Sequence, residues 1–194
     1  MARTKNFNQE EVLDKAVELF WKKGYNATSA NDLVNELGLS RSSLYDTYGD
    51  KRTLFLKSLR RYREQVVGKM LEMVDDSSNI KETIKEIFAF VIEQDINSKI
   101  PKGCLMVNSA IELSNSDFEI AKIVKQNQKD IEDSFEKAIL KGQEKGAIAT
   151  TQSAKSIAKF FYNSITGLRV LLKYNKFKTS IDDVVNVTIS VLNT

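Results

Sequence analysis

The stretch that most limits what this chain can become runs from Thr28 to Lys51, TSANDLVNELGLSRSSLYDTYGDK. It reads as two short helices around a tight turn. A hydroxyl at Thr28 or Ser29 can cap the first helix by accepting from a free backbone N–H. Leu33, Val34 and Leu37 then share one face at helical spacing. Gly38 stands where a left-handed residue ends a helix. Leu39 is expected as a buried pivot. Ser40 caps a second helix that presents Arg41, Ser42, Ser43 and Tyr45 outward while Leu44 holds it to the core. Such a pair is a helix-turn-helix, the unit whose second helix enters a DNA major groove.

The flanking sequence predicts an all-α chain of about nine helices. Ahead of the motif, Val12, Leu13, Ala16, Leu19 and Phe20 form one buried stripe of a helix capped by Asn8. Trp21 and Tyr25 read as core of the small N-terminal unit. After the motif, Asp50 caps a long bridging helix over about 51–74. Its Leu54, Phe55 and Leu59 close a three-helix head, and Arg60, Arg61, Arg63 and Lys69 make its middle basic, as a solvated face or as DNA contacts. Further helices are expected at about 80–97, 104–113, 117–145, 153–174 and 181–192, with the third of these started by Asp117. The division is therefore 1–50, the helix-turn-helix domain, and 51–194, an effector-binding and dimerisation domain. Arg3 and Lys5 precede the first helix as a solvated tail or as an arm reaching phosphate or the minor groove.

Composition narrows function mostly by exclusion. The 194 residues contain no histidine and one cysteine, Cys104. Without histidine, a Glu-x-x-His di-iron bundle and Ser–His–Asp hydrolysis are excluded, and a single cysteine cannot form an internal disulfide. No Gly-rich phosphate loop is present, so an enzyme is not expected, and no cofactor or metal. No apolar run approaches the ~20 residues of a membrane span, and the N-terminus lacks an apolar signal segment; a cytoplasmic protein with no membrane partner is expected. The net charge of +3 is compatible with DNA binding without demanding it.

Within the motif, Arg41 has the chemistry to read a base, because a guanidinium can bond guanine O6 and N7 together, worth about 1–3 kcal/mol of discrimination; it can equally hold a phosphate. Ser42 and Ser43 can bond either, and free N–H groups at Thr28 and Ser29 can face a phosphate. Asp46 would repel phosphate unless it meets a cytosine amine, Arg41 or Lys51. On the last two helices the apolar arcs are broader than one subunit's core needs, which marks an association surface. Its candidate residues are Phe160, Ile165, Leu168, Leu172, Val184, Val185, Ile189 and Leu192.

Ala16, Leu19, Phe20, Gly24, Tyr25, Ala27, Thr28, Leu33, Gly38, Leu39, Ser40, Leu44, Tyr45, Lys51, Leu54 and Phe55 together make the first sixty residues resemble the TetR family of one-component transcriptional repressors. The resemblance implies a homodimer on a near-palindromic double-stranded operator, released by a small-molecule effector. It adds Tyr45 and Lys51 as backbone contacts and places Ser40 and Thr47 in the same contact set, although Thr47-Tyr48 replaces the commoner His-Phe pair. It also makes the terminal two helices the dimer's four-helix bundle. Gly103-Cys104-Leu105 resembles a motif of one branch, some of whose members sense electrophiles or oxidants through this cysteine. Cys104 at a helix N-terminus beside Lys102 fits a reactive thiol; a small packing residue fits as well. The blander reading is a cavity for a largely apolar molecule, lined by Phe88, Met106, Asn108, Phe118, Phe135, Phe161 and Tyr162 with Cys104. Two other readings remain, a ligand-binding helical bundle and a non-specific DNA-binding protein.

Overall fold

A computed structural model describes residues 7–96, 101–174 and 178–193; Arg3 and Lys5 lie outside them. Among the described residues every regular element is helical. The order is α1 (Gln9–Lys23), α2 (Ala30–Leu37), α3 (Arg41–Tyr48), α4 (Lys51–Tyr62), a π-helical turn (Arg63–Val67), α5 (Gly68–Asp75), α6 (Ile80–Ile96), α7 (Leu105–Leu113), α8 (Phe118–Glu144), α9 (Ala154–Leu171) and α10 (Lys178–Ser190). The π turn joins α4 to α5 without a break, so the described residues form nine rods, and the long bridging helix is one of them.

Caps written in the sequence set the starts. Asn8, Ser29, Ser40, Asp50, Asp117 and Ser153 each accept a backbone N–H of the helix they precede, which satisfies one of the donors a helix start leaves without a partner. Gly38 ends α2 at φ 66°, a left-handed conformation closed to most side chains.

The head is built on Phe20, which is fully buried and meets Phe55 edge to face at 5.0 Å. Leu33, Leu44, Leu54 and Leu59 fill the space between α1, α2, α3 and α4. The body packs α6, α8 and α9 around Ile84, Ile87, Phe88, Phe135 and Phe161. No helix of the described residues is long and apolar enough to cross a membrane.

The arginines of the bridging helix keep part of their surface in solvent but are engaged in ion pairs within the chain. Arg61 bonds both oxygens of Asp14 on α1 at 2.8 and 3.2 Å, Arg60 reaches Glu119 at 3.1 Å, and Arg63 pairs with Asp130. The rod is thus clamped to the head on one side and to α8 on the other.

Further contacts fasten head to body. Trp21 is not small-unit core. Its indole N–H donates to the Gly103 carbonyl at 3.0 Å, and its ring meets Tyr62 at 4.9 Å. Lys102 lies 4.2 Å over the same indole and bonds Glu18 at 2.8 Å. The Glu112 carboxylate on α7 accepts the N–H groups of Tyr25 at 3.1 Å and Asn26 at 2.6 Å. Arg52 holds Asp117 through two bonds of 2.5 and 2.9 Å. Gly103 is required here: its φ is +65°, and a Cβ would come within 2.9 Å of the Lys173 side chain and 3.0 Å of the Arg169 carbonyl.

The residues expected at the association surface divide by burial. Ile165, Leu168, Leu172 and Leu192 are buried within the subunit and cannot meet a partner, because their helix faces turn toward α6 and α8. Val185 and Ile189 are half-buried against the core. Phe160 and Val184 are exposed, and Val170, Tyr174 and Val187 join them, Val187 at 65%. Phe160, Gly167 and Val170 recur at helical spacing along one side of α9, with Tyr174 in the turn just beyond it, as Val184 and Val187 do on α10.

Candidate nucleic-acid interface and inner cavity

Helix α3 is seated by Leu44 and Tyr48, both buried, and the Tyr48 hydroxyl donates to the Gln9 carbonyl at 3.1 Å. That orientation leaves Arg41, Ser42 and Asp46 exposed and Ser43, Tyr45 and Thr47 half-buried on the outer side. Ser40 organises the hydroxyls. Its Oγ accepts from the Ser43 N–H at 3.2 Å and lies 3.1 Å from Ser42 Oγ and 2.9 Å from Ser43 Oγ. Short side chains gathered at a helix start let the backbone approach a duplex closely, with an arginine beside them to reach a base edge or a phosphate. Asp46 pairs with neither Arg41 nor Lys51 among the described residues.

Three expected contacts are placed otherwise. Thr28 is fully buried, and its hydroxyl donates to the Gly24 carbonyl at 2.5 Å; its side chain supports the start of the motif from within. The Ser29 N–H is already taken by Asp32 at 2.7 Å, and the Asp32 N–H returns to Ser29 Oγ at 3.1 Å, a reciprocal capping box. The Lys23 ammonium, 2.6 Å away, and the Ser29 bonds hold the Asp32 carboxyl well below the usual carboxylate range. Lys51 donates to the Thr28 carbonyl at 2.6 Å and lies 4.3 Å over the Tyr25 ring. It ties α4 to the start of the motif, a tie that needs α4 and residue 28 to be adjacent and is invisible in sequence spacing.

The body holds a cavity of about 40 Å³ between α4–α5, α6, α7, α8 and α9. Of the residues expected there, Cys104, Met106 and Tyr162 line it. Phe88, Phe135 and Phe161 are core instead, the last two edge to face at 5.9 Å. Asn108 is spent on the connecting loop, donating to the Lys102 carbonyl and accepting from Lys173. Phe118, the first residue of α8, is 86% exposed and points away. Sequence reasoning missed Tyr62, Asn127 and Arg169 in the wall. A buried asparagine and arginine on otherwise apolar helix faces were the available signal.

The Tyr62 hydroxyl donates to Cys104 Sγ at 3.5 Å, and burial, then the nearby Cys104, pushes its pKa well above the usual phenol value. Burial likewise raises Tyr162. In the wall, Arg169 lies 3.8 Å from Asp95 just behind it, and both are buried. Asp95 Oδ1 accepts the N–H groups of Lys102 and Gly103, each at 3.0 Å. The same short loop therefore touches the cavity through Cys104 and the head through Gly103.

Comparison with known proteins agrees with both halves. Residues 12–57 match the family description "Bacterial regulatory proteins, tetR family", and residues 81–187 match "Tetracyclin repressor-like, C-terminal domain". The chain is 33% identical to the uncharacterised HTH-type transcriptional regulator YezE of Bacillus subtilis over 194 residues, covering 100% of each. It is 28% identical over 169 residues to the HTH-type transcriptional repressor ComR of Escherichia coli, covering 87% of this chain and 80% of that one. Among solved structures, a cysteine-substituted form of the TetR family regulator CifR with a 26-bp operator duplex superposes with a TM-score of 0.87 at 21% identity, over 98% of this chain and 100% of that one. With an outward-facing helix-turn-helix at one end and the matched C-terminal fold behind it, the chain belongs to the TetR family: it is a DNA-binding transcriptional regulator.

Proposed function

We propose that the chain is a homodimeric repressor that grips a near-palindromic operator with two copies of α3 and lets go when its body binds an effector. It works in the cytoplasm. The observation that carries this reading is the outer side of α3, where Arg41 is exposed beside the Ser40–Ser42–Ser43 hydroxyl cluster. One head spans too few base pairs for specificity, and a two-fold dimer sets two heads about 34–36 Å apart, or a multiple of it, on one face of the duplex. The exposed apolar stripes of α9 and α10 support that pairing. ComR is named a repressor, which favours repression over activation. A gel shift on DNA flanking the chain's own gene tests the proposal. A retarded dimer complex that weakens steeply with salt is expected, and a folded dimer with no shift at low salt overturns it.

The effector reading rests on the cavity, which lies beside the loop that fastens α1. A ligand releases DNA only if it prefers the arrangement whose heads do not fit the operator. A second form of the signal, thiol modification, is favoured by one specific observation: Cys104 sits in the cavity wall with Tyr62 donating to its sulfur, in a Gly103-Cys104-Leu105 stretch that resembles the motif of a branch some of whose members sense electrophiles or oxidants. Operator release by a thiol-reactive compound that disappears in Cys104→Ser would establish it; an unchanged response in that variant dismisses it.

A further inference from the structure

We infer that Asp46 is a base-reading residue of α3 that selects a cytosine in each half-site, by accepting from the N4 amine in the major groove. The inference rests on the operator-binding reading above and names one base that the operator holds.

The placement comes from the helix itself. Leu44 and Tyr48 are buried and seat α3 on the head. Each is two residues from Asp46, about 200° around the helix. The aspartate therefore lies opposite the midpoint of that seam, at the centre of the outward face, and it is exposed. Ser42 stands one turn before it and Gly49 about one turn after it. Flanking groups this short let the helix come close to the base edges, as a side chain the length of aspartate requires.

Charge decides what it meets there. The head's other three aspartates are engaged within the chain: Asp14 accepts from Arg61, Asp32 pairs with Ser29 and Lys23, and Asp50 accepts the Thr53 N–H at 2.6 Å. Asp46 has no hydrogen bond or ion pair among the described residues. The nearby Lys51 is spent on the Thr28 carbonyl and the Tyr25 ring. Ser42, Ser43, Gly49 and Asp50, one turn away on either side, bring no positive charge. On a face that meets a polyanion, a carboxylate in this state opposes binding unless a donor receives it.

Base edges in the major groove offer two such donors, cytosine N4 and adenine N6. Adenine sets the acceptor N7 beside its amine, and guanine and thymine present acceptors at O6, N7 and O4. Cytosine alone gives a carboxylate a donor with no acceptor on the same base. The acid thus weakens binding to duplexes in general more than binding to one that holds the cytosine, which widens the gap between the operator and other DNA.

The experiment selects bound sequences from a pool of randomised duplexes with the full-length protein, with Asp46→Ala and with Asp46→Asn. Both variants alter an exposed side chain without partners, so the fold is kept. The unaltered protein should recover one fixed cytosine per half-site. Asp46→Ala should lose the preference at that position alone, and Asp46→Asn should change it to adenine, whose N6 and N7 an asparagine amide bonds together. In anisotropy titrations, thymine in place of that cytosine should weaken the unaltered protein by about 5- to 150-fold and Asp46→Ala hardly at all. Variants that recover the same base at every position, while binding all duplexes more tightly, overturn the inference and leave Asp46 a repelling surface charge on a protein that still reads an operator. An unaltered protein that selects no sequence overturns the inference and the operator reading together.

Discussion

Trp21 on α1 and Gly103 in the loop before α7 are joined by one hydrogen bond of 3.0 Å across 82 positions of sequence. The amide of the same glycine is held by Asp95, and the other oxygen of Asp95 faces Arg169 in the cavity wall. Three residues thus separate a ligand from the first helix of the DNA-reading head. Trp21→Phe keeps an aromatic ring on α1 but deletes the bond and trims the indole that Lys102 lies over. It should lower stability by at least about 1 kcal/mol in urea unfolding. It should also leave basal operator affinity near its original value while reducing the effect of effector on that affinity, read by fluorescence anisotropy.

The bond between Arg52 and Asp117 makes a second joint, and this one depends on pH. The Arg52 guanidinium, ahead of the helix-start N–H groups, lowers the Asp117 carboxyl from 3.8 to about 2. A carboxyl that is a stronger acid in the folded state stabilises fold at pH above its unfolded value, and that contribution is lost as pH falls from there through the folded value. Thermal unfolding followed downward from 3.8 to about 2 should show an acid-sensitive component that Asp117→Asn lacks. Because Arg52 is open to solvent and Asp117 is partly so, added salt should shrink it.

How far the sequence reached depended on whether a signal was local. Caps, the left-handed Gly38 and the outward set on α3 were legible because each needs only its neighbours within a turn. Ser29 rather than Thr28 proved to be the cap, and Thr28 went inside, because the two hydroxyls are equivalent until the turn after Gly24 is built. The cavity was read badly for a related reason. Phe88, Phe135 and Phe161 carry the apolar character of a pocket wall and of a core alike, and only packing separates them. The terminal helices repeat the lesson: their apolar arcs were visible, yet which half of each arc faces home, Leu168 or Val170, is set by the helices they lie against.

Operator binding should distinguish the two kinds of residue in the motif. Arg41→Ala removes a side chain exposed on the outer face and should weaken operator binding by about 1–3 kcal/mol. If it touches phosphate instead, the loss should be uniform across sequences and the salt dependence shallower. Thr28→Val should instead lower the stability of the head by about 1 kcal/mol, through the lost bond to Gly24, and disturb DNA binding only as far as it disturbs folding. Paired gel shifts and unfolding curves separate the cases.

Val187 is the most open apolar residue of α10, at 65% exposure. Val187→Asp alone, and more so with Val170→Asp, should leave the subunit folded while shifting sedimentation from dimer to monomer, since a charge would have to be buried without a partner in the interface. Operator affinity should drop with dimerisation, and a variant that stays dimeric would place the association surface elsewhere.

The π turn at Arg63–Val67 settles a matter of phase along the bridging rod. The buried side chains Phe55, Leu59 and Tyr62 advance by four and three positions, then the next, Val67, comes five positions on, before Met70 and Val74 resume the ordinary beat. An even α-helix turns about 100° per residue, so the odd residue would have swung Val67 and everything beyond it away from the interior. Widening one turn absorbs that residue, and a single hydrophobic seam runs unbroken from the DNA-reading end of the molecule to its far side.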